Sequence, residues 1–318
     1  MKAVRIHENR GPANPELLVF EDAPDPHAAT GDVIVRVHAA SFVPDELDWP
    51  GTWTDRAGRD RTPSIPAHEV AGVVTEVGYG TTGFEVGDRV FGLTDWHRDG
   101  AAAEYVAVEA RNLAAIPDAV GFQASAALPL AGLTAWQGLF RHGGLEFGDA
   151  ADRTIVVHGG AGGTGSLVVQ LAHAAGSRVV ATGRRAAEER ARAHGADEFL
   201  PLDGERDLDQ LAPVDLVFDT IGGDLLARSA AIVKPGGVLV SISAPPPVTP
   251  RGGRAVFFIV EPDRSELVKL AQLTSQGYLR PHVGAVHPLA ESRAAFLSKR
   301  RGVPGKVVLD VLPAGLPT

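Results

Sequence analysis

Hydrophobic and polar residues alternate in two different ways along the chain. From residue 1 to about residue 120, short apolar runs at 32–37, 70–75 and 88–91 are separated by turn residues. Runs of this length and composition are typical of β-strands. The pattern therefore predicts an N-terminal region that consists mainly of antiparallel sheet.

Beyond Gly121 the pattern changes to an alternation of strands and helices, which is typical of a parallel, doubly wound sheet. In chain order, the predicted elements are strand 154–157, helix 166–175, strand 178–181, helix 186–194, strands 214–219, 238–242 and 256–260, helices 265–276 and 289–299, and strand 306–311. The second part of the chain is therefore predicted to be α/β.

Length, charge and composition narrow the function classes. A chain of 318 residues is long for one compact unit, so we predict two domains. The net charge of -9, without basic stretches interleaved with aromatic residues, argues against nucleic acid as a partner. The opening residues lack a signal-peptide core, and no apolar run nears the roughly 20 residues that span a bilayer. We therefore expect a cytoplasmic protein without a membrane partner.

The most informative motif is the glycine-rich segment 160–165, which follows an apolar strand and opens a predicted helix. This is the context that a G-x-G-x-x-G dinucleotide-binding motif requires. The first glycine makes the tight turn, the second lets the backbone approach a pyrophosphate, and the third allows close helix–strand packing. A connecting glycine-rich turn is the alternative interpretation. The predicted cofactor contacts in this motif are Gly160, Gly162, Gly163, Thr164 and Gly165.

The end of the second strand of the α/β part indicates which nicotinamide cofactor binds. NAD sites carry an acidic residue there, which binds the ribose 2′-hydroxyl. Here the strand is followed by Arg184 and Arg185, with no carboxylate beside them. Two guanidinium groups can pair with the extra phosphate of NADP by charge-assisted hydrogen bonds. We therefore predict NADP(H) as the cofactor; the alternative is that both arginines belong to a solvated helix start.

Several separate segments together resemble a known family over nearly the whole chain. The segments are 31–40, 71–92, 127–135, 157–165, 219–223, 234–237 and 305–309. On these the chain resembles the zinc-independent, quinone-oxidoreductase branch of the medium-chain dehydrogenase/reductase superfamily. The resemblance implies a GroES-like, mainly β catalytic domain (1–121 and 263–318), a Rossmann NADP-binding domain (122–262), and an active site in the cleft.

The resemblance also implies further cofactor-side residues. These are Thr134, Thr220, Ser241, Phe258 and Lys306. Relatives often carry Asn-Pro in the first active-site loop, where this chain has Val43 and Pro44. The asparagine amide is therefore missing here, and we expect a drier site.

Cysteine is absent, which excludes disulfides, thiolate catalysis and cysteine-ligated metal sites. Metal-using relatives bind catalytic zinc through cysteine and a histidine that matches His68. A zinc site made from His68, Glu69 and an acid such as Asp48 is the alternative, but the family's ligand set is missing. We therefore predict no metal. Without a Lewis acid, a quinone or an enone is a better substrate than a simple alcohol, because it accepts hydride directly.

We therefore predict an NADPH-dependent oxidoreductase that transfers hydride to a small-molecule quinone or α,β-unsaturated carbonyl compound. The predicted catalytic residues are Trp49, His68 and Trp96, and His68 would donate a hydrogen bond or a proton to the substrate oxygen. Core packing is the alternative for the tryptophans, and a hydrogen-bonded structural role is the alternative for His68.

Three other functions remain open from the sequence. They are an S-adenosylmethionine methyltransferase, to which segment 233–237 is similar, a zinc-type alcohol dehydrogenase, and a non-catalytic NADPH-binding protein. The two arginines argue against the methyltransferase, which generally needs an acid at that strand end. The apolar run 256–260 would form an exposed sheet edge, so we also predict a homodimer that covers it.

Overall fold

The computed structural model describes residues 1–8, 14–203, 208–211 and 213–312. Contacts between Cα atoms divide the chain into two compact units. Unit 1 comprises Met1–Leu130, Pro262–Ser275 and Pro281–Thr318, and unit 2 comprises Ala131–Glu261 and Gln276–Arg280. Residues 313–318, at the end of the catalytic domain that the sequence implies, lie outside the described residues.

The strands of the described residues are β1 Lys2–Ile6, β2 Leu18–Asp22, β3 Asp32–Ser41, β4 Glu69–Val77, β5 Arg89–Leu93, β6 Tyr105–Glu109, β7 Leu113–Ala115, β8 Thr154–His158, β9 Arg178–Gly183, β10 Glu198–Pro201, β11 Val214–Asp219, β12 Val233–Ser241, β13 Arg254–Phe257, β14 Val283–Pro288 and β15 Lys306–Asp310. The helices are α1 Pro50–Trp53, α2 Phe122–Ala126, α3 Pro129–Trp136, α4 Gly163–Ala174, α5 Glu188–Ala193, α6 Gly223–Ser229, α7 Arg264–Ser275 and α8 Ser292–Arg300. A π-helical turn, Gln137–His142, continues α3.

Unit 1 contains a mixed sheet of seven strands. Its order is β14-β15-β3-β4-β5-β7, with β6 paired to β3, and a separate hairpin joins β1 to β2. The pairings are antiparallel except that of β14 with β15. Strand β3 is buried along most of its length because α2 packs on it, and the ring of Phe122 stacks on His38 at 4.1 Å. The mainly antiparallel sheet that the sequence predicted is confirmed.

Unit 2 contains a six-stranded parallel sheet of order β10-β9-β8-β11-β12-β13. Numbered from its own first strand, this order is 3-2-1-4-5-6, the doubly wound arrangement of dinucleotide-binding folds. Strands β8 and β11 are almost entirely buried and mostly apolar, as expected of a parallel sheet covered on both faces. The predicted α/β architecture, a GroES-like part plus a Rossmann part, is therefore confirmed.

The sequence misplaced the last strand of the parallel sheet. Strand β13 begins at Arg254 and pairs with β12 only as far as Phe257, so most of the predicted strand 256–260 lies beyond the pairing. The apolar run continues because Phe258 and Val260 are buried, whereas Ile259 is exposed. The apolar residues beyond Phe257 therefore reflect burial of individual side chains and not a continuation of the strand.

Within the described residues, no helix has both the length and the apolar character needed to cross a bilayer.

Candidate functional site

The glycine-rich turn of unit 2 follows β8 directly. The chain leaves the strand through Gly159, whose φ of 76° suits glycine, and Gly160 packs on the next strand: a Cβ added there would lie 2.7 Å from the Cβ of Ala181. A Cβ added to Gly165 would lie 2.1 Å from the carbonyl oxygen of Gly159. Residues 160 and 165 are therefore close-packed against backbone or strand, and side chains there would push the turn outward.

The N-terminus of α4 lies at the same turn. Gly162 caps this 12-residue helix without a side-chain hydrogen bond, and a Cβ added to Gly162 would approach only the carbonyl oxygen of Gly159, at 3.2 Å. The N–H groups of the first turn, at Gly163, Thr164 and Gly165, have no acceptor within the helix. Together with the helix dipole, these groups form a cradle that fits a phosphate or pyrophosphate.

Polar side chains meet at the carboxyl ends of neighbouring parallel strands. Thr220, directly after β11, donates from Oγ1 to the carbonyl oxygen of His158 at 2.8 Å. Ser241, the last residue of β12, donates from Oγ to Asp219 Oδ2 at 3.2 Å, and that carboxylate also accepts the N–H of Gly222 at 3.0 Å. Ligands of doubly wound sheets bind at this edge, and Thr220 and Ser241 lie there.

His158 connects three elements of unit 2, a role that the sequence did not indicate. Its ring nitrogens lie 2.9 Å from Thr182 Oγ1 and 2.9 Å from Ser229 Oγ. Ser229 already donates to the carbonyl oxygen of Leu225, so it accepts from His158 Nε2–H, and Nδ1 accepts from Thr182. Burial lowers the pKa of His158 to about 4, which agrees with a neutral ring.

Arg184 and Arg185 follow β9, and both are exposed. The backbone N–H of Arg185 donates to Asp203 Oδ1 at 2.9 Å. The sequence showed no carboxylate next to the arginines, but the parallel pairing of β9 with β10 brings Asp203 to this strand end. The carboxylate thereby holds the backbone of the arginine pair and leaves two guanidinium groups in solvent.

The remaining residues that the resemblance implied lie in different surroundings. Thr134, in α3, and Phe258, after β13, are buried in unit 2, where the Phe258 ring lies 4.5 Å from the ring of His142. Lys306 belongs to unit 1 and begins β15. Its Nζ forms a buried ion pair with Glu69 and donates to the carbonyl oxygen of Phe42 at 3.2 Å. The ammonium group of Lys306 therefore has a structural partner within its own unit.

The three predicted catalytic residues come together in unit 1. The ring centroids of Trp49 and Trp96 lie 5.2 Å apart in an edge-on arrangement, and His68 lies 6.1 Å from Trp49 and 6.0 Å from Trp96. His68 is only 1 % exposed, whereas both tryptophans are partly exposed. We call these three residues the ring cluster.

Close contacts hold the two tryptophans of the ring cluster in place. Trp49 precedes α1, and Trp96 lies in the loop after β5. A Cβ added to Gly51 would lie 2.3 Å from the carbonyl oxygen of Trp96, so only glycine permits this approach. An ion pair between Arg56 and Asp95, at 2.5 Å, also joins the two segments. The cluster is therefore built from two loops that are fixed to each other.

Glu46, which the sequence did not single out, is the partner of His68. Its Oε1 lies 3.0 Å from His68 Nδ1 and accepts the N–H of Ala67 at 2.5 Å. Glu46 is as deeply buried as the histidine, at 1 % exposure. No local pattern marks Glu46, because it lies in the short 3-10 turn Glu46–Asp48, a segment that normally faces solvent.

The donor set of the chain does not fit a zinc site. Over the described residues, no group of three or more histidine, cysteine, aspartate or glutamate side chains could hold a metal ion. In the alternative set, Glu69 is ion-paired with Lys306, and His68, whose Nδ1 faces Glu46, could offer only one nitrogen, Nε2. Zinc needs at least three protein ligands, and these residues do not supply them.

Comparisons with known proteins agree with this fold. Residues 29–118 match the family model "Alcohol dehydrogenase GroES-like domain", and residues 194–309 match "Zinc-binding dehydrogenase". The chain is 35% identical over 301 residues to an NADPH-dependent alkenal/one oxidoreductase of Arabidopsis thaliana, covering 91% of this chain and 74% of the relative. It is 32% identical over 305 residues to 2-methylene-furan-3-one reductase of Solanum lycopersicum, with coverage of 91% and 74%.

Among solved structures, the quinone oxidoreductase from Coxiella burnetii superposes with a TM-score of 0.86 at 28% identity, covering 98% of this chain and 99% of that one. The chain belongs to the quinone-oxidoreductase-like branch of the medium-chain dehydrogenase/reductase superfamily. The resemblance inferred from its segments is therefore confirmed.

Proposed function

We propose that the protein is an NADPH-dependent oxidoreductase that reduces α,β-unsaturated carbonyl compounds or quinones without a metal. The observation that carries this proposal is the ring cluster, in which a buried histidine with an unpartnered Nε2, among the described residues, lies beside two partly exposed indoles. The named activities of the Arabidopsis and tomato relatives support the same substrate class.

The cofactor assignment rests on unit 2. NADPH supplies the hydride when it is bound. The glycine turn and the N-terminus of α4 would hold its pyrophosphate, and Arg184 and Arg185 would pair with its 2′-phosphate. Thr134, Thr220, Ser241 and Phe258 are proposed contacts of the same site. The relative from Arabidopsis is named for its dependence on NADPH, which supports this choice.

The catalytic assignment rests on unit 1, which we propose as the catalytic domain, with unit 2 as the cofactor domain. Trp49 and Trp96 would bind the flat, conjugated part of the substrate, since indoles offer large apolar faces. His68 would donate a hydrogen bond to the substrate oxygen, where negative charge develops. A conjugated acceptor gives an enolate, which hydrogen-bond donors can stabilise without a Lewis acid.

The test follows the transferred hydrogen. With NADPH deuterated at the transferred C4 position and a simple enone, we expect deuterium on the β-carbon of a saturated ketone. Deuterium on the carbinol carbon of an allylic alcohol would show direct carbonyl reduction and would refute the proposal. Absence of turnover across a panel of enones and quinones, with NADPH bound, would favour a non-catalytic protein.

We further propose a homodimer that covers β13. This strand forms one edge of the parallel sheet, and Phe257 and Ile259 at its end are exposed. Unpaired apolar edges are usually covered in native proteins. Light scattering at micromolar concentration should report twice the mass of one chain, and Ile259→Lys should shift it towards the monomer; a monomer in the unmodified protein would contradict the proposal.

A further inference from the structure

Glu46 and His68 form a buried pair with a fixed orientation. A carboxylate can only accept hydrogen bonds, so His68 Nδ1 must carry the hydrogen that lies between it and Glu46 Oε1, 3.0 Å away. The same oxygen accepts the backbone N–H of Ala67, the residue before His68. The carboxylate therefore fixes the orientation of the His68 ring, so that Nε2 is the nitrogen that points away from Glu46.

Atoms around the pair lack partners although they are buried. Among the described residues, no hydrogen bond is made by His68 Nε2, Glu46 Oε2 or Thr94 Oγ1. Thr94 is a neighbour of the pair, because its N–H donates to the carbonyl oxygen of His68 at 2.9 Å. Buried polar groups are normally paired, and exceptions call for an explanation such as a bound ligand or a catalytic role. The three atoms belong to residues that hydrogen bonds join to one another, which points to a function.

A buried histidine with a structural role can use both ring nitrogens. His158 in unit 2 provides the comparison within this chain: it is equally buried, but a hydroxyl group lies 2.9 Å from each of its ring nitrogens. At His68 a carboxylate lies beside Nδ1, and no partner within the described parts of the chain lies beside Nε2. A carboxylate beside one nitrogen stabilises the positively charged ring, in which the opposite nitrogen is a proton donor.

We propose that Glu46 is a positioning residue that holds His68 as the acid of the conjugate reduction, an assignment that rests on the proposed function. Hydride from NADPH forms a C–H bond at the β-carbon, and the π electrons move to the carbonyl oxygen. The Nε2–H bond of His68 then breaks, and its proton binds that oxygen. The resulting enol tautomerises to the saturated ketone, NADP⁺ leaves, and His68 regains a proton from water.

The critical variant is Glu46→Gln. The glutamine oxygen can still accept from His68 Nδ1 and from Ala67, so only the charge is lost. Glu46→Asp keeps the charge with a shorter side chain. The matched control is Glu21→Gln, because Glu21 also pairs with a histidine, His7 at 2.8 Å, on the exposed β1-β2 hairpin.

Two isotope effects separate positioning from a structural role. In Glu46→Gln we expect kcat for enone reduction to fall at least tenfold with KM within twofold. The solvent deuterium isotope effect on kcat should rise, and the effect of C4-deuterated NADPH should shrink, because the proton step becomes limiting. Glu46→Asp should recover part of the rate, and Glu21→Gln should match the unmodified enzyme. Unchanged kcat and isotope effects in Glu46→Gln would overturn the proposal.

A measurement on the unmodified protein keeps the proposal testable even if the Glu46 variants do not fold. In protein labelled with nitrogen-15 at histidine, NMR should show a proton on Nδ1 of His68; a bare Nδ1 would overturn the proposal. If the unmodified enzyme reduces neither enones nor quinones, the proposed function fails. If it places deuterium on the β-carbon while Glu46→Gln behaves as the control does, only the role of Glu46 fails.

Discussion

Replacement of Lys306 by methionine tests the buried ion pair at the base of β15. Glu69 is 1 % exposed and Lys306 is 4 % exposed, so neither charge is solvated by water. Removal of one partner of such a pair leaves an uncompensated buried charge, which typically costs about 3–5 kcal/mol. The carbonyl oxygen of Phe42 also loses its charged donor. We therefore expect the free energy of unfolding of Lys306→Met to fall by about 4 kcal/mol at pH 8.

The loss should depend on pH in a defined direction. Burial raises the pKa of the Glu69 carboxyl above 4.5 even with Lys306 present, and the variant removes the lysine that opposes this rise. A raised pKa in the folded state means that the folded protein holds more protons than the unfolded chain between 4.5 and the raised value. Stability is then retained below pH 4.5 and lost as the pH rises, so Lys306→Met should be less destabilised at pH 5 than at pH 8.

The assay is urea unfolding followed by tryptophan fluorescence. Trp49, Trp53 and Trp96 lie in unit 1 and Trp136 lies in unit 2, so a Trp136→Phe background restricts the signal to unit 1. The double variant Glu69→Gln with Lys306→Met removes both charges and should recover most of the lost stability. Equal destabilisation of the single and double variants would refute the argument from charge.

The double variant also tests whether Lys306 binds the cofactor. If unit 1 is as stable as in the unmodified protein and the Kd for NADPH is unchanged, Lys306 serves only the fold. A tenfold or larger rise in that Kd would place its ammonium group at the cofactor, as the family resemblance implies.

Four other outcomes follow from the structure. Arg184→Ala combined with Arg185→Ala should erase roughly a tenfold or greater preference for NADPH over NADH, since charge-assisted contacts contribute about 1.5–3 kcal/mol; an unchanged ratio of the two Kd values would contradict the phosphate site. Gly165→Ala should destabilise unit 2 by about 1–3 kcal/mol and weaken NADPH binding, because its Cβ would lie 2.1 Å from a backbone oxygen. The control Gly121→Ala should have little effect on stability or on NADPH binding, because a Cβ added there would have no atom within 4 Å. The pKa of His158 is lowered to about 4, so the folded protein holds fewer protons than the unfolded chain between about pH 4 and 6.5. The free energy of unfolding should therefore fall by about 3 kcal/mol as the pH drops through this range. The variant His158→Gln should lose most of this pH dependence. Elemental analysis should find no stoichiometric zinc, and a strong chelator should leave enone reduction intact.

The elements that could be predicted from the sequence are those whose burial or turn geometry gives a recognisable pattern within a few neighbouring residues. Strands of the parallel sheet are buried on both faces, so their composition alone marks them, and Val214–Asp219 was predicted to the residue. The glycine motif was equally visible, because the turn after β8 permits no Cβ at Gly165. Strands such as β14, with glycine, histidine and proline among six residues and alternate exposure, carry no such pattern and were missed.

From the sequence, only those site residues could be predicted whose residue type or match to relatives suggests a role. His68 was selected because it matches the zinc-ligand histidine of metal-using relatives, and Trp49 and Trp96 were selected as aromatic residues of the cleft; the structure brings the three rings within about 6 Å of one another. Nothing in the sequence stated that the loops are joined, since that depends on Gly51 passing the backbone of Trp96. Tertiary packing supplied the arrangement.

Buried charges are the feature that pattern-based prediction handles least well, because hydropathy assigns every glutamate and lysine to the surface. Glu46, Glu69 and Lys306 are all nearly inaccessible, although Glu46 lies in a short polar turn and the other two are the first residues of strands. A carboxylate can be buried only when a partner reaches it, and here the partners come from 22 and 237 residues away. Burial of such a group is therefore a property of the pair. A residue that we assign to the active site can therefore lie in a segment whose sequence pattern is typical of the protein surface. Glu46 could be identified only from the tertiary structure, in which its 3-10 turn contacts His68, next to the start of β4.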